Sequence, residues 1–491
     1  MGTVTLLAAD IRVRPTIPIG SGVVTSEHYD VVIIGGGPGG YAAGLYGGSA
    51  GVRIAIVEKD KVGGTCLHRG CIPAKELLET ASVYRHVSTA KEFGVLADQP
   101  GLDFSVTMQR KQKVIDQLWK GLEGLLKRRK VDIYRGTGSL GAGRKVTVSG
   151  GASGDVELTG DAVIICTGSV PKTIPGFDID GELVVTSDEL LSIPQLPSTA
   201  VVIGGGIIGF EFASMLADLG TQVTVLEALP SVLPGVDPDV ADVVVRSFKK
   251  RGIDVRTNVW VEGHDPDGSG GTTIKVKDAD PVKTDLVVMC VGRGPLTDGL
   301  GLEGTAVKVG EQGFVTVDER CRTGEDRVWA VGDVIDTPGL AHVGYAEAIV
   351  AIKDILGEEP VPVDYDRVPV CIYCHPEVAY AGYSEPAAKE AGFEVVASKH
   401  RYAGIGRALI IGDTDGMVKI VAERNADGSA GRVLGVHMAG PWVTEQLGQG
   451  YLAVNWEATV DDVAQFIQPH PSLSELFGES AIAMTGRSLH G

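Results

Sequence analysis

Two cysteines, Cys66 and Cys71, stand close together in the chain, with four residues between them. A disulfide that closes so short a loop gains little stability from chain entropy, so it is poorly suited to holding a fold together. Strained or exposed disulfides are the labile, catalytic ones. Pro73 suits the first turn of a helix predicted over Glu76 to about Ala90. Cys71 therefore lies at the start of that helix, where the dipole favours a thiolate. The pair indicates a redox-active dithiol, and the alternative is two unpaired structural cysteines.

A second candidate group is His470, which lies between two prolines near the end of the chain. Glu475 follows it closely enough to orient the imidazole after one helical turn. A histidine oriented by a carboxylate is a general base poised near neutral pH. A lone histidine is more often a core or surface residue, but a redox dithiol needs a proton acceptor. We therefore predict that His470 and Glu475 form the acid–base pair.

The elements before the cysteines have the pattern of a dinucleotide-binding unit. A buried strand, Tyr29–Ile34, is followed by the motif G-x-G-x-x-G and then by a helix. The three glycines of the motif are Gly35, Gly37 and Gly40. They allow a tight turn and the close approach of a pyrophosphate to the helix N-terminus. Glu58 ends the next strand at the offset, about 20 residues, of a carboxylate that binds a ribose hydroxyl. A glycine turn that serves packing alone is the alternative.

The same pattern occurs again in the middle of the chain. The strand Ala200–Ile203 precedes a second G-x-G-x-x-G motif, and the next strand ends at Glu227. The glycines of this motif are Gly204, Gly206 and Gly209. A carboxylate at Glu227 accepts from the 2′-hydroxyl of NAD and repels the 2′-phosphate of NADP, and no arginine follows in residues 228–231. Two such motifs predict two dinucleotides, one of them NAD. The cysteines lie beside the first, and a dithiol needs a two-electron partner there, which suggests a flavin.

The remaining segments are predicted more coarsely. Residues 131–158 are predicted to form a small antiparallel sheet, and Pro171–Pro197 a linker that crosses between units. Phe314–Asp318 is predicted as a short strand. A further strand ends at Asp333, at the edge where such sheets bind ligands. From about Tyr365 the alternating pattern predicts an antiparallel sheet, followed by helices.

Composition limits the classes of partner and compartment. The chain has 491 residues, a net charge of −19 and 68 glycines. The negative charge argues against nucleic acid and anionic membrane as partners. We find no apolar run long enough to span a membrane, and residues 1–28 lack the order of a signal peptide. The odd number of seven cysteines indicates a reducing cytoplasm rather than a secreted disulfide framework.

A metal site is not predicted. Cys371 and Cys374 form a C-x-x-C pair, but they are predicted on a strand, where residues three apart point to opposite faces. No second cysteine or histidine pair accompanies them.

Together these motifs resemble those of the pyridine nucleotide–disulfide oxidoreductases. The segments that carry the resemblance are Gly63–Lys75, both glycine motifs, Ala330–Asp333 and His470–Glu475. The resemblance runs from about Tyr29 to the C-terminus and is strongest to members that oxidise dihydrolipoyl groups. It implies an α/β fold with two Rossmann-like domains and a C-terminal α+β dimerisation domain. The implied divisions are an FAD-binding domain (29–173), an NAD-binding domain (174–297), a central domain completing the FAD site (298–364) and an interface domain (365–491). Residues 1–28, to which the resemblance does not extend, are predicted to be a mobile N-terminal extension.

The resemblance also implies roles for individual residues. Cys66 would exchange with the dithiol substrate, and Cys71 would contact FAD as the charge-transfer thiolate. Lys75 would lie near the flavin, paired with Glu211. The implied FAD-binding residues are Gly35, Gly37, Gly40, Glu58, Thr65, Lys75, Gly138, Thr167, Gly168, Ser169, Asp333, Leu340, Ala341 and His342. The implied NAD-binding residues are Gly204, Gly206, Gly209, Glu227 and Gly292.

The implied reaction is ping-pong: a dihydrolipoyl group reduces the disulfide, and the electrons pass through FAD to NAD⁺. His470, with Glu475, would come from the second subunit of an obligate homodimer with a shared active site. The implied partners are lipoyl domains of a 2-oxo acid dehydrogenase or related complex.

Two other interpretations stay open from the sequence. A glutathione- or mercuric-reductase-like enzyme would normally use NADPH, against Glu227, and mercuric reductases carry a terminal cysteine pair that residues 485–491 lack. A non-catalytic flavoprotein subunit would not need both cysteines together with His470 and Glu475.

Overall fold

The computed structural model describes residues 27–97, 101–151 and 154–490. Most of the predicted N-terminal extension, residues 1–26, lies outside the described residues. The first strand begins at Glu27, ahead of the predicted start at Tyr29. The predicted α/β class is confirmed, because two sheets consist largely of parallel strands flanked by helices, and a third is antiparallel.

The elements are named here in chain order. The first group is β1 (Glu27–Ile34), α1 (Pro38–Ser49), β2 (Ile54–Glu58), α2 (Gly64–Arg69), α3 (Cys71–Thr89), α4 (Phe104–Arg128), β3 (Asp132–Arg135), β4 (Thr137–Gly141), β5 (Lys145–Ser149), β6 (Val156–Ile165) and β7 (Ser169–Pro171). The second is β8 (Val184–Thr186), α5 (Ser187–Leu190), β9 (Thr199–Ile203), α6 (Ile207–Asp218), β10 (Gln222–Leu226), α7 (Pro238–Lys250), β11 (Asp254–Arg256), β12 (Val261–Pro266), β13 (Thr272–Val276), β14 (Val282–Thr284), β15 (Leu286–Met289) and β16 (Arg293–Pro295). The third is β17 (Val328–Ala330), α8 (Ala341–Ile355), β18 (Val370–Ile372), β19 (Glu377–Gly382), α9 (Glu385–Glu390), β20 (Val395–Arg401), α10 (Gly406–Ile411), β21 (Met417–Arg424), β22 (Ala430–Gly440), α11 (Val443–Asn455), α12 (Val460–Ala464) and α13 (Glu475–Met484).

The first sheet has the order β3-β2-β1-β6-β5-β4, and β17 also pairs with β6. Its parallel centre consists of short apolar runs such as Val31–Ile34, which are buried as expected of strands covered on both faces. The small antiparallel sheet predicted over residues 131–158 is present only in part: β4, β5 and β6 pair antiparallel, but β3 pairs parallel with β2. All of these strands belong to the first sheet rather than to a sheet of their own. β17 comes from the predicted central domain, so the first sheet is completed late in the chain.

The second sheet has the order β11-β10-β9-β15-β8, with every pair parallel. Its edge strand β8 lies inside Pro171–Pro197, where the sequence analysis predicted a linker. That prediction is wrong for this stretch, because three residues gain strand structure from pairing with β15 rather than from a pattern of their own. The predicted strand Phe314–Asp318 is also absent as a strand, since only isolated bridges form there, at Val315.

The C-terminal sheet, β18-β19-β22-β21-β20, is antiparallel, as predicted. Cys371 lies in β18, and the buried Cys374 lies beyond the end of that strand. Among the residues described, no group of side chains is arranged to hold a metal ion. No helix in the described ranges has both the length and the apolar character that a membrane span requires.

A buried ion cluster joins the start of α7 to the C-terminal sheet. Lys419 of β21 is 2.9 Å from Asp237, 2.6 Å from Asp239 and 2.8 Å from Glu385. Burial alone would lower the pKa of Lys419, but its hydrogen bonds to the three carboxylates raise it to about 12. Asp237 also caps the start of α7. The lysine is therefore charged, and it fixes the start of α7 to the antiparallel sheet.

We expect Lys419→Ala to lower the free energy of unfolding by about 3 kcal/mol, because it leaves the buried carboxylate of Asp237 without its cation. The measurement is urea unfolding of the variant beside the parent protein. Lys250→Ala is the matched control, since Lys250 joins the other end of α7 to Asp415 through exposed side chains. That change should cost less than about 1 kcal/mol. Equal losses in the two variants would contradict the role given to the buried cluster.

Candidate active site

A single cavity of about 1580 Å³ runs along the carboxyl ends of both parallel sheets. A typical small-molecule site measures about 300–1,000 Å³, so this one has room for more than one ligand. Most of the predicted site residues line it: Gly35, Gly37, Glu58, Thr65, Cys66, Cys71, Lys75, Gly138, Thr167, Gly168, Ser169, Gly204, Gly206, Glu211, Glu227, Gly292, Asp333, Leu340 and Ala341. The structure thus brings residues from distant parts of the chain to one space.

Both glycine motifs have the geometry of a phosphate site. Gly35 has φ 104°, and a Cβ there would lie 2.2 Å from the carbonyl oxygen of Cys166. Gly37 and Gly206 precede α1 and α6, and neither helix start is capped by a side chain. The first backbone N–H groups of both helices are therefore available to an anion.

The last glycine of each motif lies outside the cavity lining and has a packing role. A Cβ on Gly40 would lie 1.9 Å from the carbonyl oxygen of Gly35. A Cβ on Gly209 would lie 2.1 Å from that of Gly204. These two glycines allow each helix to approach its strand, which lets the turn form.

The two acidic residues at the strand ends are held in the same way. Glu58 accepts from the N–H of Gly36 at 2.7 Å and from that of Asp60 at 2.8 Å. Glu227 accepts from the N–H of Gly205 at 2.5 Å and from that of Leu229 at 2.7 Å. Each carboxylate is fixed beside its glycine turn and keeps lone pairs for ribose hydroxyls.

Cys66 and Cys71 lie where α2 meets α3. Gly63, with φ 110°, precedes α2, and its N–H donates to the carbonyl oxygen of Gly36 at 2.8 Å. This bond ties the cysteine segment to the first glycine motif. Cys66 lies within α2, and Cys71 is the first residue of α3, as predicted for a helix start. Both are free thiols and half-buried.

The two thiols differ in acidity. A hydrogen bond from Cys66 lowers the pKa of Cys71, and the positive charge of Lys75 lowers it further, to about 7, against the effect of burial. The same hydrogen bond, together with burial, raises the pKa of the Cys66 thiol. The pair therefore holds a thiolate on Cys71 and a proton on Cys66.

Lys75 is fixed by Glu211 of α6. Its Nζ lies 2.9 and 2.8 Å from the two carboxylate oxygens. Burial would lower the pKa of Lys75, but the charge of Glu211 outweighs this effect and raises it. Glu211 also accepts from the N–H of Tyr373, whose ring lies beneath the ammonium at 4.9 Å. Lys75 is thus a permanent positive charge beside Cys71.

A network of side-chain hydrogen bonds lies where β7 and β16 pair. Ser169 Oγ donates to Asp333 at 2.6 Å. Arg293 donates to Ser169 Oγ at 2.8 Å and to the Ser169 carbonyl oxygen at 2.7 Å. Arg293 lines the cavity but was missed by the sequence analysis. Its position directly after the predicted Gly292 was the available signal.

Two further predicted residues lie elsewhere. His342 is exposed and donates from Nε2 to the carbonyl oxygen of Pro369 at 2.7 Å, and it does not line the cavity. His470 is 75% exposed and also lies outside the cavity lining. One chain alone therefore does not bring His470 to the cavity that holds the cysteines.

The predicted pairing of His470 with Glu475 is present. Nδ1 of His470 lies 2.7 Å from Glu475 Oε1, and the other carboxylate oxygen accepts from the N–H of Ser472 at 2.7 Å. Burial would raise the pKa of Glu475, but the hydrogen bonds from Ser472 and His470 lower it. An ionised carboxylate therefore holds the imidazole in one orientation, with Nε2 directed away from it.

The sequence matches two family descriptions. "Pyridine nucleotide-disulphide oxidoreductase" matches residues 29–348, and the dimerisation domain of the same family matches residues 368–481. Dihydrolipoyl dehydrogenase of Bacillus subtilis (strain 168) is 42% identical over 95% of this chain and 100% of its own length. Dihydrolipoyl dehydrogenase of Haloferax volcanii is 38% identical over 94% of this chain and 97% of its own.

Solved structures agree in fold. LpdA (Rv3303c) from Mycobacterium tuberculosis has a TM-score of 0.86 at 26% identity, over 93% of this chain and 99% of its own. The HOCl-induced flavoprotein disulfide reductase RclA from Escherichia coli has a TM-score of 0.82 at 28% identity, over 92% of this chain and 99% of its own.

In the reduced protein we expect Cys71 to titrate near pH 7. Lys75→Met removes a charge that lowers the pKa of Cys71, so it should raise that pKa. The measurement is the rate of alkylation by iodoacetamide against pH, resolved for Cys71 by peptide mass spectrometry. Lys75→Arg keeps the charge and is the control. The same midpoint in every variant would show that this ion pair does not set the acidity of the thiol.

Proposed function

The chain belongs to the pyridine nucleotide-disulphide oxidoreductase family, and we propose that it acts as a dihydrolipoyl dehydrogenase. It oxidises dihydrolipoyl groups through a Cys66–Cys71 disulfide and, with FAD, reduces NAD⁺ to NADH. The observation that carries the proposal is the acidic Cys71 thiol beside the Lys75–Glu211 pair, in a cavity shared by two nucleotide sites. The curated relatives named dihydrolipoyl dehydrogenase support it over their whole length.

The residues present fit FAD at the first sheet. The uncapped start of α1 suits the pyrophosphate, Glu58 suits the ribose of the adenosine part, and Asp333 suits the ribityl hydroxyls. Bound FAD supplies a two-electron carrier between the cysteine pair and NAD⁺. Arg293 holds Ser169 against Asp333, so it serves this site as a positioning residue.

The difference in thiol acidity assigns the two cysteines. A thiolate of the substrate attacks the sulfur of Cys66, and Cys71 leaves as the thiolate, because the thiol of lower pKa is the better leaving group. The second substrate thiol then attacks the mixed disulfide and releases Cys66. The substrate leaves as a cyclic disulfide, and two electrons remain on the cysteine pair.

His470 is the acid–base group of this exchange. Its Nδ1 is held by Glu475, so Nε2 takes the proton of the substrate thiol. The dimerisation-domain match supports a homodimer. Because His470 is exposed and outside the cavity of its own chain, we place it at the cysteines of the partner chain.

Glu227 makes NAD the nucleotide of the second sheet, since a fixed carboxylate repels the 2′-phosphate of NADP. Glu262 lines the same part of the cavity and adds a second negative charge that the sequence analysis missed. We further propose lipoyl domains of a 2-oxo acid dehydrogenase or related complex as substrate carriers. The compartment proposed is the cytoplasm, which accords with the five cysteines outside the Cys66–Cys71 pair all being free.

The purified holoenzyme should reduce NAD⁺ with dihydrolipoamide, with NADP⁺ a far weaker acceptor. Cys66→Ser and Cys71→Ser should abolish this reaction, and His470→Gln should lower its rate by about 10²–10⁴-fold, the usual worth of a general base. The assay is NADH absorbance under anaerobic conditions. Oxidation of NADH by ferricyanide is the control, since it bypasses the dithiol exchange. Full activity in Cys66→Ser, or preference for NADPH with a different disulfide, would reject the proposal.

The shared site is tested by subunit complementation. With dihydrolipoamide, the Cys66→Ala homodimer should be inactive and the His470→Ala homodimer should keep only the small residual activity expected without a general base. In a mixed dimer, however, the normal cysteines of one chain face the normal histidine of the other. Co-expression with two different affinity tags isolates that heterodimer, which should regain about half of the parent activity. If each chain used its own histidine, the heterodimer would keep only that residual activity.

A further inference from the structure

An exposed aromatic side chain lies at the nucleotide-binding edge of the second sheet, and no step above uses it. Trp260 is 62% exposed and lines the large cavity. Leu229, which is 52% exposed, lines the same cavity. Large apolar side chains that face a cavity offer surface that a ligand can cover, and an indole also offers a flat π face.

Main-chain hydrogen bonds fix Trp260 beside Glu227. The N–H of Val259 donates to the carbonyl oxygen of Glu227 at 2.9 Å, and that of Asn258 donates to Leu229 at 3.0 Å. On its other side, the carbonyl oxygen of Trp260 accepts from the N–H of Lys277 at 2.8 Å. The segment before β12 is therefore held alongside the segment that follows β10, and the position of Trp260 is set by backbone.

Glu227, the neighbour of Trp260, determines which part of a dinucleotide lies near the indole. Under the proposed function Glu227 binds the hydroxyls of a ribose of NAD, and that ribose carries the adenine. The nicotinamide has to reach the other region of the cavity, where Lys75 and Cys71 lie. A base attached to the ribose at Glu227 therefore lies within reach of the indole.

We propose that Trp260 stacks on the adenine of NAD and is a specificity-determining residue for the dinucleotide. Leu229 contributes apolar surface to the same subsite. Adenine stacks well on aromatic rings because both present flat π faces. The inference rests on the NAD site of the proposed function, and it does not depend on the dithiol reaction.

The direct test uses ADP-ribose, which has the adenine and its ribose but no nicotinamide. Titration calorimetry of the oxidised holoenzyme should show binding about tenfold weaker in Trp260→Ala than in the parent, the order expected for one base stacked on one aromatic ring. Trp260→Phe should bind within about twofold of the parent. Trp260→Leu, which keeps apolar surface but no ring, should resemble Trp260→Ala.

The kinetic test compares NAD⁺ with nicotinamide mononucleotide, which has no adenine. In Trp260→Ala the ratio of kcat/KM for NAD⁺ to that for the mononucleotide should fall about tenfold, because only NAD⁺ reaches the indole. Parent-like ADP-ribose binding in Trp260→Ala, or equal losses with both nucleotides, would overturn the proposal. So would parent-like binding in Trp260→Leu, since the ring would then be unnecessary. If the parent binds ADP-ribose but dihydrolipoamide reduces no NAD⁺, the proposed function fails and the adenine subsite stands.

Discussion

The arrangement of the active site depends on the packing of α3 against α6, which carries an ion pair at each end. Lys75 of α3 pairs with Glu211 of α6 beside the cysteines, and about two turns further along α6 Asp218 pairs with Arg85 of α3. Asp218 also accepts from Arg251 at 2.5 Å. Because breaking a buried pair strands a charge, the two carboxylates fix the register of one helix on the other. Cys71 at the start of α3 is thereby held against the unit that carries the second nucleotide site.

The sequence was sufficient to predict the elements of the fold wherever a local pattern determines the structure. Both strand–glycine–helix units and the helix that begins at Cys71 form as predicted, because each is specified by consecutive residues. The strand β8 could not be predicted, since its three residues become a strand only by pairing with β15. The Lys75–Glu211 pair spans 136 positions, so no spacing rule reveals it, and it was predicted from family resemblance alone.

The two nucleotide-binding units show how one local design serves two ligands. In both, a glutamate at the end of the second strand accepts from the N–H of the residue that follows the first motif glycine, Gly36 or Gly205. The features that distinguish the two sites come from residues outside the repeated strand–glycine–helix unit. The first sheet receives β17 and with it Asp333, which accepts from Ser169 Oγ. Ser169 is held in turn by Arg293. The second sheet is joined instead by the segment before β12, which carries Trp260. Distant additions of this kind cannot be predicted from either glycine motif.

The His470–Glu475 pair gives a reason for considering the dimer as the unit of catalysis. An exposed imidazole gains little stability from a carboxylate, because water competes for both groups. Here, however, Glu475 is only 15% exposed and is held by the Ser472 N–H as well, so the carboxylate is rigid while the histidine it orients is open to solvent. A contact that orients the imidazole without stabilising the fold is useful when the surface of another molecule contacts that imidazole. Under the proposed function that surface is the cysteine site of the second chain, where Nε2 has a thiol to deprotonate. The exposure of His470 in one chain and its position outside the cavity of that chain then have one common explanation.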